Sequence, residues 1–199
     1  MTIRDADPLR DAAGCAAIYG HYVRETAVSF EEQAPGERAM ALRMESIVER
    51  FPWLVAELAD SPEGAGATAA PRGLAGFAHA APHRERAAYR WSVDVTVYVA
   101  DGARRRGVGR ALYGALLPML AAQGFHAACA GITLPNDASV ALHESFGFEL
   151  VGVHREIGFK AGAWRDVGWW QAMLAAADRN HVPPAEPRGP RPYEARSVT

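Results

Sequence analysis

The sequence predicts an α/β (α+β) chain in which a mixed central sheet is flanked by helices, in the order βααβββαβαββ. Three observations predict it. Val93, Val95, Val97 and Val99 alternate over residues 89–99, the period of a strand with one buried face. Apolar residues recur at helical spacing in two early segments. The valine strand then runs through an arginine-glycine loop straight into an apolar helical pattern.

The elements follow in order. Residues 3–6 predict a short first strand. Asp7 before Pro8 is an N-cap followed by proline at the first helical position. Ala12, Cys15, Ala16, Tyr19, Tyr22 and Val23 line that helix. A second helix is predicted from about residue 36 to 51, with Met40, Met44, Ile47, Val48 and Phe51 on one face and Pro52 ending it. Strands are predicted over 53–59 and 73–81, joined by a flexible Gly/Pro-rich turn at 60–72. A charged loop, 82–88, leads into the valine strand. The next helix reaches about Gln123, and Pro118 inside it predicts a kink or an early stop. A strand over 125–134 stops at Pro135-Asn136, and a short helix runs to Phe146 with Gly147 as its C-cap. Strands over 149–159 and 164–174 form a closing hairpin around Gly162. The domain is expected to span residues 1–178, and the Pro/Arg-rich residues 179–199 are expected to be a disordered tail.

Composition excludes several classes. A chain of 199 residues with 49% hydrophobic and 22% charged residues is an ordinary globular domain with its own core. Its 21 basic and 23 acidic residues sum to −2, which opposes a dedicated nucleic-acid binder. Cys15 and Cys129 supply neither a disulfide framework nor metal spacing, and both read as core thiols. His79 and His83 flank the end of a strand and are not read as metal ligands. No apolar run reaches the ~20 residues of a membrane span, and the amino terminus has no secretory pattern, so a cytoplasmic protein is expected.

The chemistry concentrates in Arg104-Arg105-Arg106-Gly107-Val108-Gly109-Arg110. The phosphate lysine and hydroxyl of a P-loop are missing after Gly107. Leu112 stands where a dinucleotide fingerprint needs its third glycine. What remains is a turn whose backbone N–H groups face a pyrophosphate at a helix N-terminus without a metal, against the plainer reading of a capped helix with solvated arginines.

The loop resembles the acetyl-CoA loop of the GCN5-related N-acetyltransferase (GNAT) superfamily, Gln/Arg-x-x-Gly-x-Gly/Ala, through Arg104, Gly107 and Gly109. Residues 134–148, from Leu134-Pro135-Asn136 to Phe146-Gly147-Phe148, resemble the later motif of the same superfamily, where an asparagine opens a helix beside the pantetheine arm. Asn136 is also an ordinary N-cap, and the two roles are compatible. Over residues 3–175 the chain resembles the phosphinothricin N-acetyltransferase branch. Phe51-Pro52-Trp53-Leu54-Val55-Ala56-Glu57, Ala88-Tyr89-Arg90-Trp91, Thr96-Val97-Tyr98-Val99 and Gly131-Ile132-Thr133-Leu134-Pro135-Asn136-Asp137 carry that resemblance. The most specific run is Gly158-Phe159-Lys160, followed by Trp164-Arg165-Asp166-Val167-Gly168.

The resemblance implies a GNAT fold with splayed central strands, acetyl-CoA as cosubstrate, no metal, and a homodimer. It implies acetyl transfer to the amino group of a small amino-acid-like acceptor, of the phosphinothricin or methionine sulfoximine/sulfone type. Such an amine is protonated at neutral pH and must lose a proton to a base before it attacks a thioester. The branch places a glutamate just before Thr-Val-Tyr-Val. Asp94 stands there, one methylene shorter, so Asp94 or His143 is expected to act in proton transfer. Backbone N–H groups near Val97, Tyr98 and Val99 are expected to polarise the thioester. Arg104, Arg105, Arg106, Gly107, Val108, Gly109, Arg110 and Asn136 are expected to hold the cofactor. Phe30, Arg84, Arg86 and Tyr89 are expected around the acceptor, where an arginine fork can grip a carboxylate or phosphinate. Phe30 is equally readable as a core anchor, and Trp164, Trp169 and Trp170 as core or subunit contacts. The rival functions are a GNAT acting on another amine or a protein N-terminus, and an acyl-CoA-binding module with weak catalysis. No nucleic-acid or membrane partner is expected.

Overall fold

The computed structural model describes residues 1–58, 73–175 and 184–193. The expected turn at 60–72 lies outside these residues, as does much of the expected tail. The strands are β1 (Thr2–Asp5), β2 (Trp53–Glu57), β3 (Leu74–Pro82), β4 (Ser92–Val99), β5 (Ala127–Thr133), β6 (Glu149–Lys160) and β7 (Ala163–Met173). The helices are α1 (Pro8–Glu25), α2 (Glu37–Val48), α3 (Val108–Gln123) and α4 (Asp137–Glu144). Their order matches the expected one, and the sheet runs β1-β2-β3-β4-β5-β7-β6.

All neighbouring strands are antiparallel except β4 and β5. A parallel pair needs a crossover, and α3 provides it. Alternation along the strands sends residues to two layers. Leu54, Ala56, Ala78, Val93 and Val95 pack with Leu112, Leu116 and Leu120 of α3. Trp53, Val55 and Phe77 pack with Cys15, Tyr19, Met40 and Met44 of α1 and α2.

The β4–β5 ladder is short. It pairs Ser92 with Ala127, Val93 with Ala128 and Asp94 with Cys129, and no pair follows. Beyond Asp94 the strands separate around a cavity of about 70 Å³, lined by Val95, Thr96, Val97, Tyr98 and by Ala130 to Thr133. The valine stripe therefore divides. Val93 and Val95 are buried, whereas Val97 and Val99 are only half-buried.

The expected helix caps form. Asp7 accepts from the N–H groups of Leu9 and Arg10, and Asn136 accepts from Ser139. The early stop that Pro118 allowed does not occur: α3 continues to Gln123, and its C-cap Gly124 lies in the left-handed region at φ 97°. Leu116, Leu117 and Leu120 are buried around the proline and hold the helix through it. The valine strand also begins later than expected, because residues 87–89 form a short 3-10 turn.

Ten residues of the expected tail are described. Residues 184–193 have no helix or strand, yet they lie against the body. Trp91 Nε1 donates to the Ala185 carbonyl, Arg188 N to the Gln123 carbonyl, and Tyr193 N to Asp5.

Candidate active site

Two regions carry the candidate residues: the loop before α3, and the floor and rim beside the β4–β5 split. The loop is built for an anion. Arg105 (φ 61°) and Gly107 (φ 78°) both adopt the left-handed region, which turns successive N–H groups toward one side. Gly107 caps α3 with no side-chain bond, and the first helical hydrogen bond is made by Ala111. The N–H groups of Val108, Gly109 and Arg110 therefore have no helical acceptor. A Cβ on Gly109 would sit 3.1 Å from Leu142 of α4, so glycine lets α3 and α4 approach closely.

The arginines of the loop are not equivalent. Arg104 pairs with Asp101 at 3.0 Å and lies over the Tyr22 ring, so its charge is already matched. Arg110 lies over Phe146. Arg105 and Arg106 are exposed and make no ion pair among the described residues. Arg110 likewise makes no ion pair among the described residues.

Alternation decides which β4 backbone groups reach the split. The even-numbered residues bond to β3: His83 N donates to Ser92 O, and Ala100 N to Ala75 O. The odd-numbered ones face β5: the Trp91 carbonyl accepts from His126 and Ala127, and the Val99 carbonyl accepts from Tyr22 Oη at 2.7 Å. Val97 and Val99 thus direct their N–H groups into the split, where no strand partner stands. Tyr98 turns its backbone to β3 and its ring to Tyr19, Tyr22 and Phe77. Asn136 lines the same cavity, with its Oδ1 spent on the Ser139 cap.

His143 lines the cavity too, but its chemistry is committed. Nδ1 donates to the Ser139 carbonyl at 2.7 Å, which leaves Nε2 to accept from Tyr113 Oη at 2.9 Å. The side chain is buried, and burial lowers its basicity. A ring with both nitrogens occupied and its charge disfavoured is a poor proton acceptor. To serve as the expected base, His143 would first have to give up its Tyr113 bond.

Asp94 stands at the vertex of the split, on the α1/α2 face with Thr96 and Tyr98. Its Oδ1 is 2.6 Å from His83 Nδ1. Burial raises the Asp94 carboxyl above its ordinary range, against the opposing pull of His83 and Arg84. Cys129 is level with it on β5, and donor atoms of His83, Asp94 and Cys129 lie within 4.8 Å of one another. Cys129 is therefore half-buried beside charged groups, not a core thiol as expected. Burial and Asp94 push its thiol up to about 11, so it stays protonated.

The acceptor residues separate. Tyr89 meets the His83 ring edge-on, and the Arg84 guanidinium lies 5.5 Å over Trp169. His83, Arg84, Cys129, Trp169 and Gln171 line one cavity of about 430 Å³. Arg86 is exposed, with no side-chain hydrogen bond or ion pair among the described residues. Phe30 has other neighbours: its ring lies against Gly158 of β6, and Lys160 Nζ donates to the Glu31 carbonyl. His83 and Trp169 join this cavity, although sequence reasoning only set the first aside as a metal ligand and read the second as a core or subunit contact. The one available signal was that His83 stands at the head of the loop holding Arg84 and Arg86.

This arrangement has relatives. Residues 6–169 match the model of the acetyltransferase (GNAT) domain. The chain is 40% identical over 182 residues to a phosphinothricin N-acetyltransferase of Streptomyces viridochromogenes, covering 92% of this chain and 89% of that protein. It is 31% identical over 173 residues to an L-methionine sulfoximine/L-methionine sulfone acetyltransferase of Pseudomonas paraeruginosa, covering 87% and 94%. The crystal structure of a phosphinothricin acetyltransferase from Sinorhizobium meliloti, in complex with AcCoA, superposes with a TM-score of 0.80 at 33% identity, covering 92% of each chain. The chain belongs to the GNAT acetyltransferase family.

Proposed function

We propose that the protein transfers acetyl from acetyl-CoA to the amino group of a small amino-acid-like acceptor, of the phosphinothricin or methionine sulfoximine/sulfone type. The observation that carries this reading is the split itself. An anion-binding helix N-terminus lies at one end, two free backbone donors in the middle, and a carboxylate at the vertex. Arg105, Arg106 and the α3 N–H groups take the pyrophosphate, and Asn136 takes the pantetheine arm. The N–H groups of Val97 and Val99 hold the thioester oxygen and stabilise the negative charge that develops there. Arg84 and Tyr89 orient the acceptor's acid group, and Asp94 assists removal of the ammonium proton. His143, with Tyr113, shapes the cavity wall. Phe30 closes the acceptor side.

Two further features complete the reading. The edge strand β6 and its partner β7 expose Val151, Ile157, Phe159 and Trp164, each more than half accessible. An apolar sheet edge of this kind fits a homodimer contact. Among the described residues no helix is long and apolar enough to cross a membrane. With Cys15 and Cys129 unpaired, we assign the protein to the cytoplasm.

The test is thiol release from acetyl-CoA with a panel of amines that includes phosphinothricin and methionine sulfone. Release is expected with at least one of these, and Asp94→Asn is expected to lower kcat by about 10²-fold or more. Thermal stabilisation by CoA without release on any amine points instead to a binding module. Inert phosphinothricin and sulfone beside a reactive other amine changes the acceptor alone.

A further inference from the structure

We propose that His83 is the catalytic base, and that Asp94 acts through it as a positioning residue. The inference rests on the acetyl-transfer reading above and assigns the proton in it. Three observations lead there. The first is the short contact between Asp94 Oδ1 and His83 Nδ1, 2.6 Å. An ionised carboxylate only accepts, so Nδ1 carries the hydrogen and Nε2 holds the free lone pair. The second is that Nε2 has no hydrogen-bond partner among the described residues, in contrast to His143, whose two nitrogens are both taken. The third is position. His83 lies between Tyr89 and Trp169, with Arg84 stacked on the same tryptophan, inside the cavity that holds the acceptor-gripping arginine.

The pair replaces reach with relay. His83 lines the cavity that Arg84 and Trp169 share, whereas Asp94 stands behind it and is bonded to its inner nitrogen. An imidazole anchored on that carboxylate carries the acceptor site outward from the sheet. The charged and titratable groups facing it are Asp94 from β4, Cys129 from β5, Arg84 and Tyr89 from its own loop and the following turn, and His154 across the cavity on β6. Asp94 is the anion among them, and it stabilises the imidazolium once formed.

Nε2 takes one proton from the acceptor ammonium, directly or through one water. The freed nitrogen lone pair forms the C–N bond to the thioester carbon, and the carbonyl electrons move to oxygen, held by Val97 and Val99 N–H. Collapse breaks the C–S bond, and the electron pair leaves on sulfur. The second nitrogen proton passes to that sulfur, giving CoASH and the amide. The imidazolium returns its proton to solvent.

The experiment compares wild type, His83→Gln, His83→Gly and Asp94→Asn in thiol release across pH, with the CoA-induced thermal shift as the check on folding and donor binding. His83→Gln is expected to keep the thermal shift and lose about 10²-fold or more in kcat. Added imidazole is expected to restore part of the His83→Gly rate. Asp94→Asn is expected to lower kcat while leaving KM for acetyl-CoA unchanged, the split of a residue that positions the base without touching the donor. Ring-nitrogen NMR of the wild type is expected to find the Nδ1–H tautomer at His83. Near-normal turnover in His83→Gln, or an Nε2–H tautomer, overturns the assignment while the acetyl-transfer reading stands. No release by wild type on any amine overturns both.

Discussion

Gly158 shows how a single residue seats a distant loop on the sheet. A Cβ built there would lie 2.1 Å from Phe30 Cε2 and 2.6 Å from Cδ2, closer than any side chain tolerates. The loop after α1 is thus seated on β6 through a glycine, and the Lys160 ammonium on the Glu31 carbonyl fastens the same junction. Gly158→Ala is expected to cost about 1–3 kcal/mol, because the aromatic ring must shift or the strand must move. Phe30→Ala removes the obstacle, so the double variant is expected to lose less than the two single losses added together. Urea denaturation of the four proteins measures this coupling directly. Additive losses would mean that the ring moves aside freely. The sequence marks Gly158 as part of a Gly-Phe-Lys run, but its cause is a ring from a distant loop, which no local pattern reveals. His83 was obscured for a similar reason: its partner Asp94 is on another strand, and only the β3–β4 register brings them together.

At the scale of elements, β4 and α3 were the most legible, because their period is local. Valines at spacing two and leucines at helical spacing need no tertiary information. The glycine turn between them was legible for the same reason, since Gly107 is where the chain turns left-handed. The split was not readable from the residues themselves. Nothing in Val93 to Val99 distinguishes the paired half of the strand from the separated half, and only the family resemblance raised it. Nor does residue type reveal that Arg104 is spent on Asp101 while Arg105 and Arg106 stay free. Arg105 gives a test at this scale. It holds φ 61°, a conformation that costs a non-glycine residue about 1–2 kcal/mol. Arg105→Gly relieves that strain and adds freedom to the unfolded chain, so stability is expected to rise by at most about 1 kcal/mol. The same change deletes a free cation, and KM for acetyl-CoA is expected to rise several-fold. Gly107→Ala, at φ 78° with open space around its Cβ, is expected to lose about 1 kcal/mol through the backbone alone. Thermal denaturation and donor titration separate the two effects. A fall in stability for Arg105→Gly would mean that its side chain, not the backbone turn, organises the loop.

For the whole molecule, the sheet and its two helical layers leave one join that the family's domain does not cover. Residues 184–193 run from the start of β4, past the end of α3, to β1. Trp91 Nε1 reaches the Ala185 carbonyl at 2.9 Å, Gln123 Nε2 the Arg188 carbonyl at 2.8 Å, and Tyr193 N the Asp5 carboxylate at 2.7 Å. Arg90 pairs with Glu186 beside the first of these. With Pro118, Met119 and Ala122 of α3, the segment closes a groove of about 960 Å³ that also touches Arg106, Gly107 and Arg110. Composition alone predicted disorder here, because proline and arginine form no core of their own. The body supplies the partners instead, in Trp91, Gln123 and Asp5. Hydrogen bonds of this kind contribute about 0.5–1.5 kcal/mol each, and the more exposed ones less. Truncation after residue 175 is therefore expected to lower stability by about 1–3 kcal/mol and to bare the apolar side of α3. The residues at the vertex of the split are untouched, so kcat at saturating acetyl-CoA is expected to stay unchanged. The groove reaches the pyrophosphate loop, so KM for the donor is the kinetic constant expected to rise. An unchanged denaturation midpoint would show that the segment rests on the surface without joining anything. A fall in kcat with KM preserved would show that it acts on the chemistry and not on the donor's phosphate end.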